Sequence, residues 1–274
     1  LVTLSVIILS KNRSKDKMYF DVKFGSHNLI QSVKDPLSIS SEDSIDAVIT
    51  WLDTTCPIWI RAKESVFNSD QYSNAISVFD ESKRFPSNEF TDAELSLCLS
   101  LILKNLPWIR CIFIVCMSPQ HPKCLKQNRF SDAVMKNKIV IIHHDEIFPN
   151  PSEQLPTFNS HAIESCIHRI PRLSEKFLYF NDDFFVIRPL ERTEFYDKGK
   201  TLHGVSAANS TNLRLSLPFV AEDGWICAWL NLLDRKEKFG LENIVNIGHV
   251  PHPLTIKMMI EAEKHFHTQW KISS

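Results

Sequence analysis

From Ile45 onward the chain alternates short apolar, β-branched runs with stretches in which apolar residues recur every three or four positions. Residues 45–52 (IDAVITWL), 111–117 (CIFIVCM), 138–144 (KIVIIHH) and 176–181 (KFLYFN) are apolar without alternation over the length of a strand, the pattern of strands covered on both faces. Between them the helical period is plain in DAELSLCLSLILKN. There Thr91 and Glu94 form a capping box, Leu95, Leu99 and Leu103 share a face, and Pro107 ends the element. A second helix starts at Asn159 or Ser160 and carries Ile163, Ile167 and Ile170 before Pro171. A third is expected from Glu222 to Lys238, closed by Gly240, and a fourth opens with Pro253 in its first turn and reaches about His267. Alternating strands and helices predict an α/β fold, a mostly parallel sheet with right-handed crossovers and flanking helices, Rossmann-like or GT-A-like. Residues 1–44 lack this periodicity and form a variable N-terminal segment, in which SVKDPLSISSEDS reads as a linker. The opening LVTLSVIIL is too short to span a bilayer and reads as a strand.

The fourth apolar run ends abruptly in Asn181, Asp182 and Asp183. Adjacent carboxylates at the end of a buried strand cost several kcal/mol unless something neutralises them, on the order of a marginal domain's stability. A divalent cation gripping a phosphate does this at the carboxyl ends of strands in open α/β sheets, while an N-cap or solvated turn is the plain alternative. If the runs are parallel strands, then Asp53, His144-Asp145-Glu146 and Asn181-Asp182-Asp183 share one rim, where three acidic clusters repel one another unless a cation sits among them. His143 to Glu146 is read as structural. Adjacent strand residues face opposite ways, the spacing excludes HExxH, and one packed histidine with Asp145 or Glu146 capping the next turn accounts for the segment.

Composition narrows the function classes. Lys+Arg 31 against Asp+Glu 32 leaves a formal charge of -1, which excludes the basic field of a nucleic-acid binder. With 6 Gly against 14 Pro, and neither a P-loop nor a GxGxxG string, phosphate has to be held by metal, side chains or helix N-termini. The 7 cysteines are odd in number, irregularly spaced and without a CxxC pair. That argues against a disulfide framework and a structural zinc site, makes Cys111 and Cys116 small core hydrophobes, and fits a reducing cytoplasm.

Residues 45–59 (IDAVITWLDTTCPIW), 84–117, 138–185 and 248–257 (GHVPHPLTIK) resemble, in order, the first three conserved regions of the Stealth family; LPTFNSHAIES and FLYFNDDFF are the longest of these strings. Members of that family are sugar-1-phosphate transferases of bacterial capsule synthesis, related to the lysosomal-enzyme N-acetylglucosamine-1-phosphotransferase. The resemblance implies a catalytic domain over 45–274, with conserved regions near 45–72, 84–190 and 247–274, and with 186–245 as an insertion that shapes the acceptor side. It implies transfer of hexosamine 1-phosphate from a UDP-N-acetylhexosamine to a hydroxyl of a growing capsular polysaccharide, with release of UMP. The implied setting is cytoplasmic, with peripheral association at the inner face of the plasma membrane beside the capsule machinery, and no nucleic acid takes part.

The resemblance also implies roles for residues of this chain. His249 is the expected base for the acceptor hydroxyl, with His252 as the alternate and as a substrate contact. Asp53 and Asp182 are expected to be catalytic, Asp182 and Asp183 to hold Mg²⁺ or Mn²⁺, and Trp51, Arg84, Asn159, His161 and Asn181 to bind substrate. Asp53, Asp182 and His249 are expected to converge on one cleft. WLDTTCPIW keeps Asp53, Pro57 and Trp59 of the first region but has Thr54 and Cys56 where Gly and a second Asp are usual. The sequence stops at Ser274 without the arginine-bearing end of the third region or the fourth region, from which little turnover is expected. Two alternatives stay open: a GT-A glycosyltransferase that forms a glycosidic bond, and a truncated, inactive remnant that still binds nucleotide.

Overall fold

The structure, a computed structural model, describes residues 43–67, 91–126, 130, 138–202 and 250–265. The segment 1–42, the helix expected over Glu222–Lys238, Arg84 and His249 lie outside the described residues. Four strands, β1 (Ile45–Thr50), β2 (Ile112–Cys116), β3 (Ile139–His143) and β4 (Lys176–Asn181), pair in parallel in the order β3-β2-β1-β4. A small antiparallel hairpin, β5 (Tyr196–Asp197) with β6 (Lys200–Thr201), stands apart, and β7 (His252–Thr255) extends the main sheet antiparallel to β4. The helices are α1 (Pro57–Phe67), α2 (Thr91–Asn105), α3 (Pro151–Gln154), α4 (Ser160–Cys166) and α5 (Ile256–His265). The expected α/β architecture is therefore present.

β1, β2 and β4 form strands whose two faces are covered, while β3, last in the strand order, is half-buried at Val140, Ile141 and His143. Alternate residues point to opposite sides of the sheet, and each side has its own core. Ala47, Ile49, Ile112, Ile114, Leu178 and Phe180 pack with Leu95, Cys98, Leu99 and Ile102 of α2. Val48, Phe113, Val115 and Phe177 pack on the other side with Ala162 and Cys166 of α4 and Met259 and Ala262 of α5. Each fully buried aliphatic side chain contributes about 1.5–3 kcal/mol, so the two layers together fix the register that the sequence pattern announces. Cys98, Cys111, Cys116, Cys124 and Cys166 are free and buried, and burial pushes the Cys98 and Cys116 thiols up to about 12, which makes them inert core residues.

The amino edge of the sheet is locked by a buried charge. Asp46, fully buried, accepts hydrogen bonds from Arg110 Nη2 at 2.6 Å, Ser174 N at 2.7 Å and Cys111 N at 3.1 Å. The hairpin is tied to the far side, where the Tyr196 hydroxyl reaches Phe177 O at 2.6 Å and Leu254 O at 2.8 Å across the β4–β7 pair. Its turn has positive φ at Lys198 (48°) and Gly199 (77°), the geometry of a type I′ turn. The loop after β4 is held against the end of α2, with Asn105 Nδ2 donating to Val186 O and Trp108 Nε1 to Leu190 O at 2.7 Å.

One expected element boundary is corrected. Pro253 does not open a helix; it lies in β7 opposite Leu178, and the helix begins at Ile256. An edge strand tolerates a residue without an N–H, and the helix start is set instead by Thr255, whose Oγ1 accepts from Met258 N at 3.0 Å. The reach of that helix beyond His265 lies outside the described residues. Among the described residues no helix is long and apolar enough to cross a membrane.

Candidate active site

Parallel pairing of β1 to β4 places their carboxyl ends on one edge, and antiparallel β7 brings its first residue, His252, back to that edge beside Tyr179. Thr50 and Asn181 are in register at the ends of β1 and β4, so the segments holding Asp53 and Asp182 leave neighbouring strands. The structure thus gathers Asp53, Asn181, Asp182, Asp183 and His252 along one rim.

Asp53 is a half-buried turn organiser. Its Oδ1 accepts from the Thr55 N–H at 2.9 Å and the Thr55 hydroxyl at 2.6 Å. Its backbone exchanges two hydrogen bonds with the buried Gln120 amide, N to Oε1 at 3.0 Å and Nε2 to O at 2.9 Å, which fastens the loop after β1 to the loop after β2. Thr55 supplies the turn with a hydrogen bond where no second carboxylate is present, and Pro57 opens α1 in a first-turn position. Trp51 is 5% exposed, packed in the core beneath the rim on the α2 side.

Past β3, His144 is buried and its imidazole is pushed down to about 4, first by burial and then by His143. The Glu146 carboxylate accepts from His143 N at 2.8 Å and caps a single 3₁₀ turn, the structural arrangement expected from the sequence. Asn159, the actual N-cap of α4, accepts from His161 N at 3.1 Å. Arg169 and Arg188 form ion pairs with Glu263 at 2.6 Å and Glu194 at 2.9 Å.

Two chemistries meet at the end of β4, one on each face of the sheet. Toward α2, the half-buried Asp182 carboxyl is raised to about 7, first by burial, then by the negative charges of Asp183 and of Glu94 in the first turn of α2. Negative charge gathered on hard oxygen donors is what a divalent metal relieves. Among the described residues no three His, Cys, Asp or Glu side chains converge as a ready-made metal cage. The donor set suits a cation that takes one or two carboxylates and completes its shell with water and phosphate oxygens, as Mg²⁺ does.

Toward α4, the Tyr179 hydroxyl lies 3.0 Å from Thr50 Oγ1 and 2.7 Å from Asn181 Oδ1. Burial pushes Glu164 up to about 7, and burial, followed by the negative charge of Glu164, raises Tyr179 well above its ordinary value. The His252 ring stacks on Tyr179 with centroids 6.2 Å apart and planes at 15°, and Phe184 meets it edge-on with centroids 6.0 Å apart. Sequence reasoning missed both Glu164 and Tyr179. The available signals were a carboxylate beside Ile163 in a short apolar helix and a single hydroxyl inside FLYF.

Comparison with known proteins adds a family. Residues 89–203 match the family model Stealth protein CR2, conserved region 2, a span that includes α2, β2 to β4, Glu164 and Asn181 to Asp183. A capsular polysaccharide phosphotransferase of Actinobacillus pleuropneumoniae is 38% identical over 155 residues, covering 57% of this chain and 39% of that protein. An exopolysaccharide phosphotransferase of Streptomyces coelicolor is 30% identical over 262 residues, covering 94% of this chain and 25% of that protein. A second from the same organism is 34% identical over 237 residues, 84% of this chain and 39% of that protein. These matches span two fifths or less of the length of each relative.

Proposed function

The chain belongs to the Stealth family, whose second conserved region it carries at residues 89–203, and from that premise we propose that it is a sugar-1-phosphate transferase of capsule synthesis. In this reading a hydroxyl of a capsular polysaccharide attacks the phosphorus that bears the sugar of a UDP-N-acetylhexosamine. The bond from that phosphorus to the oxygen bridging it to the uridylate breaks, UMP leaves with the electron pair, and a phosphodiester remains. The names of the relatives support phosphotransfer in polysaccharide synthesis. The observation that carries the reading is the acidic end of β4, where Asp182 is raised to about 7 beside Asp183 and Glu94 at the ligand edge of an α/β sheet.

Mg²⁺ or Mn²⁺ bound by Asp182 and Asp183 would neutralise the diphosphate and polarise the phosphorus under attack. The chain's own residues do the rest. Asp53 holds the loop after β1 at the donor side, and Asn181 offers its amide next to the diphosphate. His249 takes the proton of the attacking hydroxyl, with His252, packed against Tyr179 and Phe184, as the alternate base. Arg84 supplies positive charge to the phosphoryl group, and Asn159 and His161 at the start of α4 bind the sugar or acceptor. The setting is the cytoplasmic face of the membrane, with the protein peripheral to it.

The test is product analysis. The chain, incubated with UDP-N-acetylglucosamine, a capsular oligosaccharide and Mg²⁺ or Mn²⁺, is expected to release UMP and to place a phosphodiester on the acceptor, and chelator abolishes both. Release of UDP with a new glycosidic bond would establish the GT-A glycosyltransferase instead. Nucleotide-sugar binding that is unchanged by excess chelator would remove the metal from the reading.

A further inference from the structure

Tyr179 has more hydrogen-bonding partners than hydrogens. Its hydroxyl, with one hydrogen to donate and lone pairs to accept, meets Thr50 Oγ1 and Asn181 Oδ1. Asn181 Oδ1 can only accept, so the phenolic hydrogen goes there and the Thr50 hydroxyl donates to the phenolic oxygen. A side-chain amide is intrinsically indifferent to a flip of its oxygen and nitrogen, and its surroundings decide which end points where. With Oδ1 tied to Tyr179, the amino end of Asn181 is the end left for other partners, and it forms no hydrogen bond among the described residues. Asn181 is half-buried and immediately precedes Asp182.

We propose that Tyr179 is a positioning residue that fixes the Asn181 amide with its amino group presented at the rim, as a donor to a phosphate or sugar oxygen of the bound ligand. The identity of the ligand rests on the function proposed above, whereas the orientation of the amide does not. The same side chain steadies His252 through its ring, so hydroxyl and ring have separable duties. Tyr179→Phe removes the first and keeps the second.

The first measurement is the side-chain amide pair of Asn181 in the ¹⁵N–¹H spectrum of the full chain, assigned by its loss in Asn181→Ala. The parent pair is expected away from the positions of a free amide, and in Tyr179→Phe it moves to those positions while backbone resonances of β1 and β4 stay in place. A parent pair already at free-amide positions, or a pair unmoved in Tyr179→Phe, overturns the proposal; the parent spectrum decides even if the variant does not fold. The second measurement is titration with UDP-N-acetylglucosamine and Mg²⁺. Tyr179→Phe and Asn181→Ala are each expected to weaken binding by about tenfold, the size of one lost hydrogen bond, and the double variant to be no weaker than Asn181→Ala. Additive losses overturn it. A parent chain that does not bind the nucleotide sugar counts against the proposed function, and the amide resonance then decides on Tyr179 by itself.

Discussion

Asp182 titrates near 7 because burial strips its solvation and Asp183 and Glu94 add negative charge beside it. Its ordinary value of 3.8 applies to the unfolded chain, so between about pH 4 and 7 the folded protein holds a proton that the unfolded chain has released. Stability therefore falls as pH rises through that window, and above about 7 the whole penalty is present. Glu164, raised to about 7 from 4.5, adds a slope of the same sign. Asp182→Asn is accordingly expected to raise the melting temperature by a few degrees at pH 8, the effect of about 1 kcal/mol in a chain of this size, and to change it little at pH 4. The same variant is expected to weaken metal-dependent nucleotide binding. Thermal melts at the two pH values check the first half, and equal melting temperatures at pH 8 would show that the charge is already neutralised. At this scale the sequence speaks unevenly. Asp182 and Asp183 stand out because two acids directly after an apolar strand have few structural uses. Glu164 and Tyr179 do not, because an acid in a helix and a hydroxyl in a strand are ordinary until tertiary packing brings them together behind Asn181.

Elements were legible where burial alone dictates them. β1 and β2 are buried along nearly their whole length, so continuous Ile and Val runs identify them without further context. β7 was hidden because its proline imitates a helix start, and the β5–β6 hairpin because strands of two residues carry no periodicity. The helix α1 follows a turn built on Asp53 and Thr55, a local hydrogen-bond signal rather than an apolar one. What joins the strands at their amino ends is also invisible in the pattern. Asp46 lies inside the apolar run IDAVIT, yet it is the acceptor that ties β1 to Arg110, Cys111 and Ser174. Asp46→Ala leaves a guanidinium and two backbone N–H groups without this acceptor, and is expected to cost about 3–5 kcal/mol in denaturant unfolding. A loss below about 1 kcal/mol would mean that water or a neighbouring carbonyl replaces the carboxylate. Because the network is at the opposite edge from Asp182, the folded fraction of this variant should keep the parent's ligand affinity.

Among the described residues, a paired Asp46 lies at one edge of the sheet, and the charges of Asp182, Asp183 and Glu94 lie at the other. The formal charge of -1 hides this division, since it averages a paired Asp46 with the like charges of Asp182, Asp183 and Glu94. The like charges of Asp182, Asp183 and Glu94 and the Tyr179–His252 ring pair both lie at the end of β4. The last expectation follows from the metal role proposed for Asp182 and Asp183. No third metal-binding side chain joins the acidic pair among the described residues, so a divalent ion alone should bind weakly, and a UDP-sugar alone should meet like charge. Together each supplies what the other lacks. In thermal-shift experiments Mg²⁺ and UDP-N-acetylglucosamine should therefore stabilise the protein by more than the sum of their separate effects. At concentrations about a hundredfold above the dissociation constant, the joint shift should be roughly 5–10 °C. Asp183→Asn, which removes one exposed oxygen anion with little change in volume and relieves repulsion on Asp182, should reduce the joint shift while leaving the free protein at least as stable. Shifts that simply add, or that survive chelator, would mean that the diphosphate is held by side chains and helix ends without a metal, and the role assigned to the carboxylates after β4 would then be wrong.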